Sequence, residues 1–250
     1  MEEGYFTNSA GERFYYVQGG PEKPKAVILA VHGYAEHTGR YRHVMDFMNS
    51  RGFSFYMMEN RGHGRSPGKR GHIDRYDQFT DDLHEFRIMP EKAAREHGVP
   101  LFLLGHSNGS LISARYALAH GDGIRGLVLS GIPIRAAVKV NPVKLKLGFF
   151  LAGIAPKLTL PSEIDPYTLC HDEKVTDLLS RAGEFSHPVL FQHGGDDRAC
   201  DPPSAVEFYE KIASGDKRMQ MYEGLWHEIF NEPEKEKILD TAASWIEERI

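Results

Sequence analysis

The sequence predicts an α/β fold built on one mostly parallel, doubly wound sheet. Short, continuous apolar runs recur along the chain, and such runs are typical of strands that are buried on both faces. Segments with the helical spacing of apolar residues separate most of these runs, which favours parallel strands with helices on both sides. The chain has 250 residues, of which 41% are hydrophobic, and is long enough to enclose one sizeable core.

The predicted elements follow one another without repeats or low-complexity linkers. Residues 13–18, RFYYVQ, predict an antiparallel strand at the edge of the sheet, which the following Gly-Gly-Pro ends. Further strands are predicted over 25–31, 53–58, 101–104, 126–130, 189–192 and 219–222. Helices are predicted over 41–51, 76–97, 112–119, 204–212 and about 233–249. Because proline lacks an N–H and crowds the preceding turn, Pro90 is expected to kink or divide the second helix.

Composition excludes several classes of protein. A net charge of −5 does not favour a nucleic-acid partner. Two cysteines, Cys170 and Cys200, are too few for a disulfide framework and favour a cytoplasmic protein. The first residues are polar and acidic rather than an apolar signal, and no apolar run approaches the ~20 residues that span a bilayer. Peripheral contact with a lipid surface stays open.

The stretch LFLLGHSNGS, residues 101–110, predicts the chemistry. It has the form of a buried strand, a G-x-S-x-G turn and the start of a helix, which is the nucleophile elbow of the α/β-hydrolase fold. The turn is sharp and strained, and side chains in place of Gly105 and Gly109 would collide with neighbouring backbone. The strain lifts the hydroxyl of Ser107 above the sheet, so Ser107 is the candidate nucleophile.

A serine needs a base to remove its proton and an acid to orient that base. In this fold they follow in the order serine, acid, histidine. Asp196 and Asp197 follow the strand over 189–192, and either could be the acid, although Asp196 could instead brace the turn; we favour Asp197. His227 lies in the loop after the last strand, where the order places the base. Other histidines also lie near strand ends, namely His32, His63, His106 and His193.

The reaction also needs backbone donors for an oxyanion. His32, Gly33 and Tyr34 follow the second predicted strand, the usual position of one donor. We predict the backbone amides of Tyr34 and Asn108 as the oxyanion hole.

Five motifs in order resemble the monoglyceride lipases, and equally the lysophospholipase and serine-aminopeptidase-like members of the α/β-hydrolase fold. They are HGYAEHTGRY (32–41), RGHGRSPGKRGH (61–72), GHSNGS (105–110), HGGDDRACD (193–201) and YEGLWHEIFNE (222–232). The resemblance implies a triad of Ser107, Asp197 and His227, oxyanion donors at Tyr34 and Asn108, and neither metal nor cofactor. It implies a serine carboxylic-ester hydrolase acting on monoacylglycerols or similar monoesters. A lysophospholipase, an aminopeptidase or amidase, and a catalytically silent binding protein are the alternatives.

The chain departs from the family's pattern at three places. Asn108 stands where the family usually has Met, and Glu59 stands where it usually has Asp before the GHG turn. The third place is residues 132–187, which break the alternation and form a short predicted lid between the core segments 1–131 and 188–250. Within it, residues 139–160 mix lysines with leucines and phenylalanines, and this stretch either rests on a lipid surface or only roofs the pocket.

Cys200 lies three residues beyond Asp197, an offset that also occurs in some monoglyceride lipases. It is either close to the substrate channel or an inert, partly buried thiol.

Overall fold

A computed structural model describes residues 1–135, 137 and 178–250. In this part of the chain an eight-stranded sheet runs in the order β1-β2-β4-β3-β5-β6-β7-β8. Its strands are β1 (Glu2–Thr7), β2 (Arg13–Gly19), β3 (Ala26–Val31), β4 (Phe53–Met58), β5 (Leu101–His106), β6 (Ile124–Ser130), β7 (Val189–Gly194) and β8 (Lys217–Tyr222). β1 and β2 pair in antiparallel register, and β2 is antiparallel to β4, whereas all pairs from β4 to β8 are parallel.

Helices cover both faces of this sheet. They are α1 (Arg42–Ser50), α2 (Asp77–His97), α3 (Asn108–His120), α4 (Pro202–Lys211) and α5 (Lys235–Glu247). Successive residues of β5 face opposite cores, because side chains alternate along a strand. Leu103 belongs to a core that includes residues of α2, α3 and α4, and Phe102 belongs to a core that includes residues of α1 and α5. The described chain therefore has the doubly wound α/β-hydrolase architecture that the sequence predicts.

The edge of the sheet differs from the prediction. β2 is not an edge strand, because the polar segment Glu2–Thr7 pairs with it along its whole length as β1. β1 is mostly exposed to solvent, so its sequence is polar and charged. It therefore lacks the apolar run that predicts a strand. Its aromatic contacts with β2 are made by Phe6, whose ring lies 5.3 Å from that of Phe14, and by Tyr5, whose ring lies 5.5 Å from that of Tyr15. The outermost strand on this side of the sheet is therefore β1 and not β2.

Pro90 does not divide the second helix, which runs as one element, α2, from Asp77 to His97. A proline removes one backbone hydrogen bond and crowds the carbonyl of residue 86. Phe86 and Ala94, on either side of it, are both buried in the same core. Because packing holds both halves against the sheet, the local cost of the proline does not end the helix.

The topology sets the position of a site. The connection after β3 passes through α1 on one face, whereas the connection after β5 passes through α3 on the other. Ligands in such sheets bind outside the carboxyl ends of the strands where the direction of winding switches. β3 and β5 are neighbours, so this switch point lies between Val31 and His106.

The predicted lid and its lipid-contacting stretch lie mostly outside the residues that the structure describes. Of the predicted lid, 132–187, residues 136 and 138–177 lie outside the described residues, and so do the whole of 139–160 and Cys170. Among the helices that are described, none has the length and apolar character to cross a bilayer.

Candidate active site

Ser107 lies between β5 and α3 in a strained backbone conformation, with φ of 53° and ψ of −126°. Among described non-glycine residues, only Ala35 shares its positive φ. A Cβ on Gly105 would lie 2.5 Å from the carbonyl oxygen of Gly109, and one on Gly109 would lie 2.1 Å from that of Val31. Gly105 is therefore required by the close approach of the first turn of α3 to β5, and Gly109 by the close approach of this turn to β3, as the elbow motif predicts.

Three predicted residues from distant parts of the chain meet at this turn. The hydroxyl of Ser107 lies 2.8 Å from Nε2 of His227, and Nδ1 of His227 lies 2.7 Å from Oδ2 of Asp197. His227 reaches the serine from the loop after β8. Gly131 makes room for its ring, because a Cβ there would lie 3.1 Å from the imidazole. The geometry allows Asp197 to accept from Nδ1–H and places Nε2 to accept the serine proton.

The structure distinguishes the two aspartates. Asp197 is buried in the turn after β7, whereas the side chain of Asp196 is exposed and its amide donates to the carbonyl of Leu225. Oδ1 of Asp197 accepts from the amides of Ala199 and Cys200 at 2.8 and 2.9 Å. Burial by itself raises the pKa of Asp197. The hydrogen bonds from His193 and His227 together have the larger, opposite effect, so the pKa lies well below its usual value.

The remaining histidines near strand ends do not reach the serine as a base. Burial lowers the pKa of His32 to about 4, and its Nε2 accepts from the amide of Asn60 at 2.9 Å. Burial likewise lowers the pKa of His106 to about 4, and its Nδ1 lies 3.1 Å from the hydroxyl of Ser130. Burial also lowers the pKa of His63. These three imidazole rings are therefore buried near the site in their neutral form.

The predicted oxyanion donors border the serine on two sides. Asn108 is the first residue of α3, so its N–H belongs to the helix-terminal groups that have no partner within the helix. Tyr34 follows Gly33, and a Cβ on Gly33 would lie 3.1 Å from Cβ of Ser107. The side chain of Asn108 accepts from the hydroxyl of Tyr76 at 2.8 Å, which ties this first turn to the start of α2.

A buried carboxylate beneath the Gly33 turn was missed by the sequence analysis. Oε2 of Glu36 accepts from the amide of Gly33 at 2.8 Å and from the hydroxyl of Tyr41 at 2.6 Å. Nε of Arg40 lies 3.0 Å from Oε1, and Arg40 also pairs with Glu228, the neighbour of His227. Although burial raises the pKa of Glu36, its electrostatic interaction with the His106 ring and the hydrogen bonds from Tyr41 and Gly33 lower it below its usual value. The four-residue spacing of Glu36 and Arg40 was the available signal.

Glu59, which replaces the family's usual Asp, has a structural place in the fold. Its Oε1 accepts from the amide and hydroxyl of Thr38 at 3.3 and 3.0 Å, and its Oε2 accepts from the amide of Arg65. It is buried between the two turns that contain these residues. The longer side chain therefore joins these turns and does not reach the triad.

Cys200 is fully buried beside the triad. Within the described residues, Asp197, Cys200 and His227 offer ligand atoms within 4.8 Å of one another, which is the one grouping there that could hold a metal ion. The carboxylate of Asp197 already accepts from two amides and faces two imidazoles. A metal would have to displace these hydrogen bonds, so the donor set fits a triad better than a metal centre.

The chain is similar to known proteins over most of its length. The family model described as "Serine aminopeptidase, S33" matches residues 22–181 and 173–234. The monoacylglycerol lipase of Mycolicibacterium smegmatis is 32% identical, over 96% of this chain and 95% of its own length. Phospholipase YtpA of Bacillus subtilis is 27% identical, over 92% and 98% respectively. A crystal structure of a soluble variant of the monoglyceride lipase from Saccharomyces cerevisiae has a TM-score of 0.85 at 23% identity, and covers 98% of this chain and 94% of that one.

Proposed function

Because the chain belongs to the serine aminopeptidase S33 family and is a serine hydrolase, we propose that it hydrolyses the ester bond of monoacylglycerols. The observation that carries this proposal is the continuous pair of hydrogen-bond distances, 2.8 Å from Ser107 to His227 and 2.7 Å from His227 to Asp197. The mycolicibacterial relative is named a monoacylglycerol lipase and is similar over nearly the whole of both chains, which supports an acylglycerol as the substrate class.

In the proposed reaction, Oγ of Ser107 attacks the ester carbonyl while Nε2 of His227 takes the hydroxyl proton. The tetrahedral intermediate collapses, the proton passes from Nε2 to the leaving alcohol oxygen, and an acyl-serine forms. Water then enters, gives its proton to His227 and attacks the acyl carbonyl. The second intermediate releases the fatty acid and returns the proton to Ser107. Asp197 stays ionised throughout and holds Nδ1–H of His227.

The amides of Tyr34 and Asn108 are proposed to hold the negative oxygen of both intermediates. Each amide belongs to a segment that borders Ser107, namely the turn after β3 and the first turn of α3. Donors that are already oriented need no rearrangement when the charge develops, and loss of one such donor costs about 3 to 4 kcal/mol of barrier. The partial positive charge at the start of α3 adds to this effect.

A lysophospholipid, which carries a single acyl ester, is the second candidate substrate. It is favoured by the match to a phospholipase that covers nearly the whole of both chains. An amide substrate has the family model's description in its favour. A catalytically silent binding protein is opposed by the hydrogen-bond distances within the triad, because a silent site has no need of a base between an acid and a serine.

We also propose that residues 132–187 form a short lid over the core segments 1–131 and 188–250, and that 139–160 contact a lipid surface. The lysines and large apolar residues of 139–160 suit an interface with lipid headgroups and acyl chains. Because a short lid encloses less chain, and each enclosed methylene contributes about 0.8 kcal/mol, selectivity should stop rising at medium acyl length. Assays of monoacylglycerols from C4 to C18 below micelle formation test this, and a specificity constant that rises to the longest chain contradicts it.

The test of the main proposal is covalent labelling with a fluorophosphonate, followed by peptide mapping. Ser107 should carry the label, and Ser107→Ala should lose both labelling and monoacylglycerol hydrolysis while keeping its fold, because only one hydroxyl is removed. Ser110→Ala, which removes a hydroxyl from the first turn of α3, is the matched control. Labelling that persists at another serine in Ser107→Ala would overturn the assignment. A parallel panel of lysophospholipids and aminoacyl amides ranks the other substrates.

A further inference from the structure

We propose that His193 is a positioning residue that holds the carboxylate of Asp197 towards His227. This inference rests on the proposed triad and adds a fourth side chain to it. Nε2 of His193 lies 3.1 Å from Oδ2 of Asp197, the same oxygen that faces Nδ1 of His227. Both side chains are buried, with 1% of His193 and none of Asp197 exposed. Two imidazoles therefore converge on one carboxylate oxygen.

The surroundings of Nε2 decide which ring nitrogen of His193 carries the proton. Among the described residues, Nε2 contacts Oδ2 of Asp197 at 3.1 Å and the carbonyl oxygen of Cys200 at 3.4 Å. A carbonyl oxygen and an ionised carboxylate oxygen only accept hydrogen bonds. Nε2 must therefore be protonated, and its N–H is shared between a hydrogen bond to the carbonyl of Cys200 and the 3.1 Å contact with Oδ2 of Asp197.

The position of His193 in the fold makes this donor rigid. It lies on β7, opposite Met221 of β8 in the parallel register, whereas Asp197 lies in the turn beyond the end of β7. Asp197 is held to its own turn by the amides of Ala199 and Cys200, which both bind Oδ1. His193 supplies the contact from the sheet to the other oxygen. The carboxylate is thus fixed at both oxygens, and its rotation away from His227 is blocked.

A fixed carboxylate should matter for the chemical step more than for substrate binding. His193 is buried behind Asp197 and reaches the serine only through Asp197 and His227. When such a support is lost, a displacement of about 1 Å in a catalytic group can cost on the order of 100-fold in rate. We therefore expect its removal to lower kcat and leave KM nearly unchanged.

The experiment compares His193→Gln with His193→Asn. The amide nitrogen of Gln extends about as far as Nε2 of histidine, whereas that of Asn is one methylene shorter. Both variants are polar and neutral, so they differ in reach rather than in kind. Kinetics on a soluble monoester are measured per site labelled by a fluorophosphonate, which removes any effect of unfolded enzyme. The matched control is Gln192→Leu, at the neighbouring position of β7. It deletes a buried polar side chain that is hydrogen-bonded to Tyr222 and Ile238.

We expect His193→Asn to lose about 10- to 100-fold in kcat per labelled site with KM within about twofold, and His193→Gln to stay within about threefold of wild type. Gln192→Leu should lose stability without a change in kcat per labelled site. Equal kcat in wild type and His193→Asn, or an equal loss in the Asn and Gln variants, would overturn the inference alone. If His193→Asn does not fold, His193→Leu takes its place with the same expected loss. A wild-type enzyme that neither hydrolyses the ester nor labels at Ser107 would instead overturn the proposed function.

Discussion

At the scale of single residues, the base of the triad depends on which of two adjacent aspartates faces it. Asp197→Asn should lower kcat by about 10⁴-fold, because the amide favours the wrong tautomer of His227. Asp196 is exposed and faces away, so Asp196→Asn should stay within a few-fold of wild type. Steady-state assays of both variants, with circular dichroism to confirm folding, measure the difference. The reverse ranking would mean that the acid is Asp196.

Cys200 supports Asp197 through its backbone, because its amide donates to Oδ1. Cys200→Ala should therefore keep kcat within about threefold. The thiol is fully buried beside the triad, so a maleimide attached there would fill space that the site needs. We expect modification confirmed at Cys200 by peptide mass to abolish activity in wild type, and the same treatment to spare Cys200→Ala. Full activity after confirmed modification would return Cys200 to the class of inert buried thiols.

At the scale of secondary-structure elements, Glu36 joins the turn after β3 to α1 and to the loop that holds His227. It accepts from Gly33 and Tyr41 and is bridged by Arg40 to Glu228. Removing a buried acceptor leaves its donors unsatisfied, at about 1 to 3 kcal/mol. Glu36→Ala should therefore lower the free energy of unfolding by that amount and reduce kcat, since the Gly33 turn borders the serine.

The control for this prediction is Glu228→Gln, at the exposed end of the same network. Its carboxylate is 46% exposed, and an exposed ion pair is worth less than about 1 kcal/mol. Urea unfolding and ester hydrolysis of both variants provide the comparison. Similar losses in the two would show that Glu36 acts as an ordinary surface charge, and the proposed support of the Gly33 turn would be wrong.

At the scale of the whole molecule, stability should fall as the solution becomes acidic. Burial lowers the pKa of both His32 and His106 from 6.5 to about 4. Between these values the unfolded chain binds more protons than the folded protein, so the free energy of unfolding decreases as pH falls from 6.5 towards 4. Each histidine contributes up to about 1.4 kcal/mol per pH unit in this window.

Urea unfolding at pH 7.5, 6 and 5, followed by circular dichroism, measures this slope. In His106→Asn, whose shorter amide can still reach the hydroxyl of Ser130, the slope should be smaller by up to about 1.4 kcal/mol per unit. His97→Gln, on the exposed end of α2, should leave it unchanged. Equal slopes in wild type and His106→Asn would show that His106 is not held neutral by burial.

The sequence by itself determined the fold class and most of the strands and helices. This was possible because continuous apolar runs and helical spacing are local signals, and the elbow needs glycine on both sides of one serine. Elements whose stability is not local were missed or misjudged. β1 is polar and becomes a strand by pairing with β2, and α2 continues through Pro90 because the core holds both of its halves.

For the candidate site, the sequence named Ser107 from the elbow motif and His227 from its position after the last strand, and it favoured Asp197 over Asp196 as the acid. Only the tertiary structure brings Asp197 rather than Asp196 to His227, and only it shows His193 and Glu36 in contact with the site. The physical reason is that these choices depend on the direction of a side chain within a turn and on burial between distant segments. Neighbouring residues of the same type are equivalent in a sequence, but the backbone of the turn after β7 points one carboxylate inwards and the other into solvent.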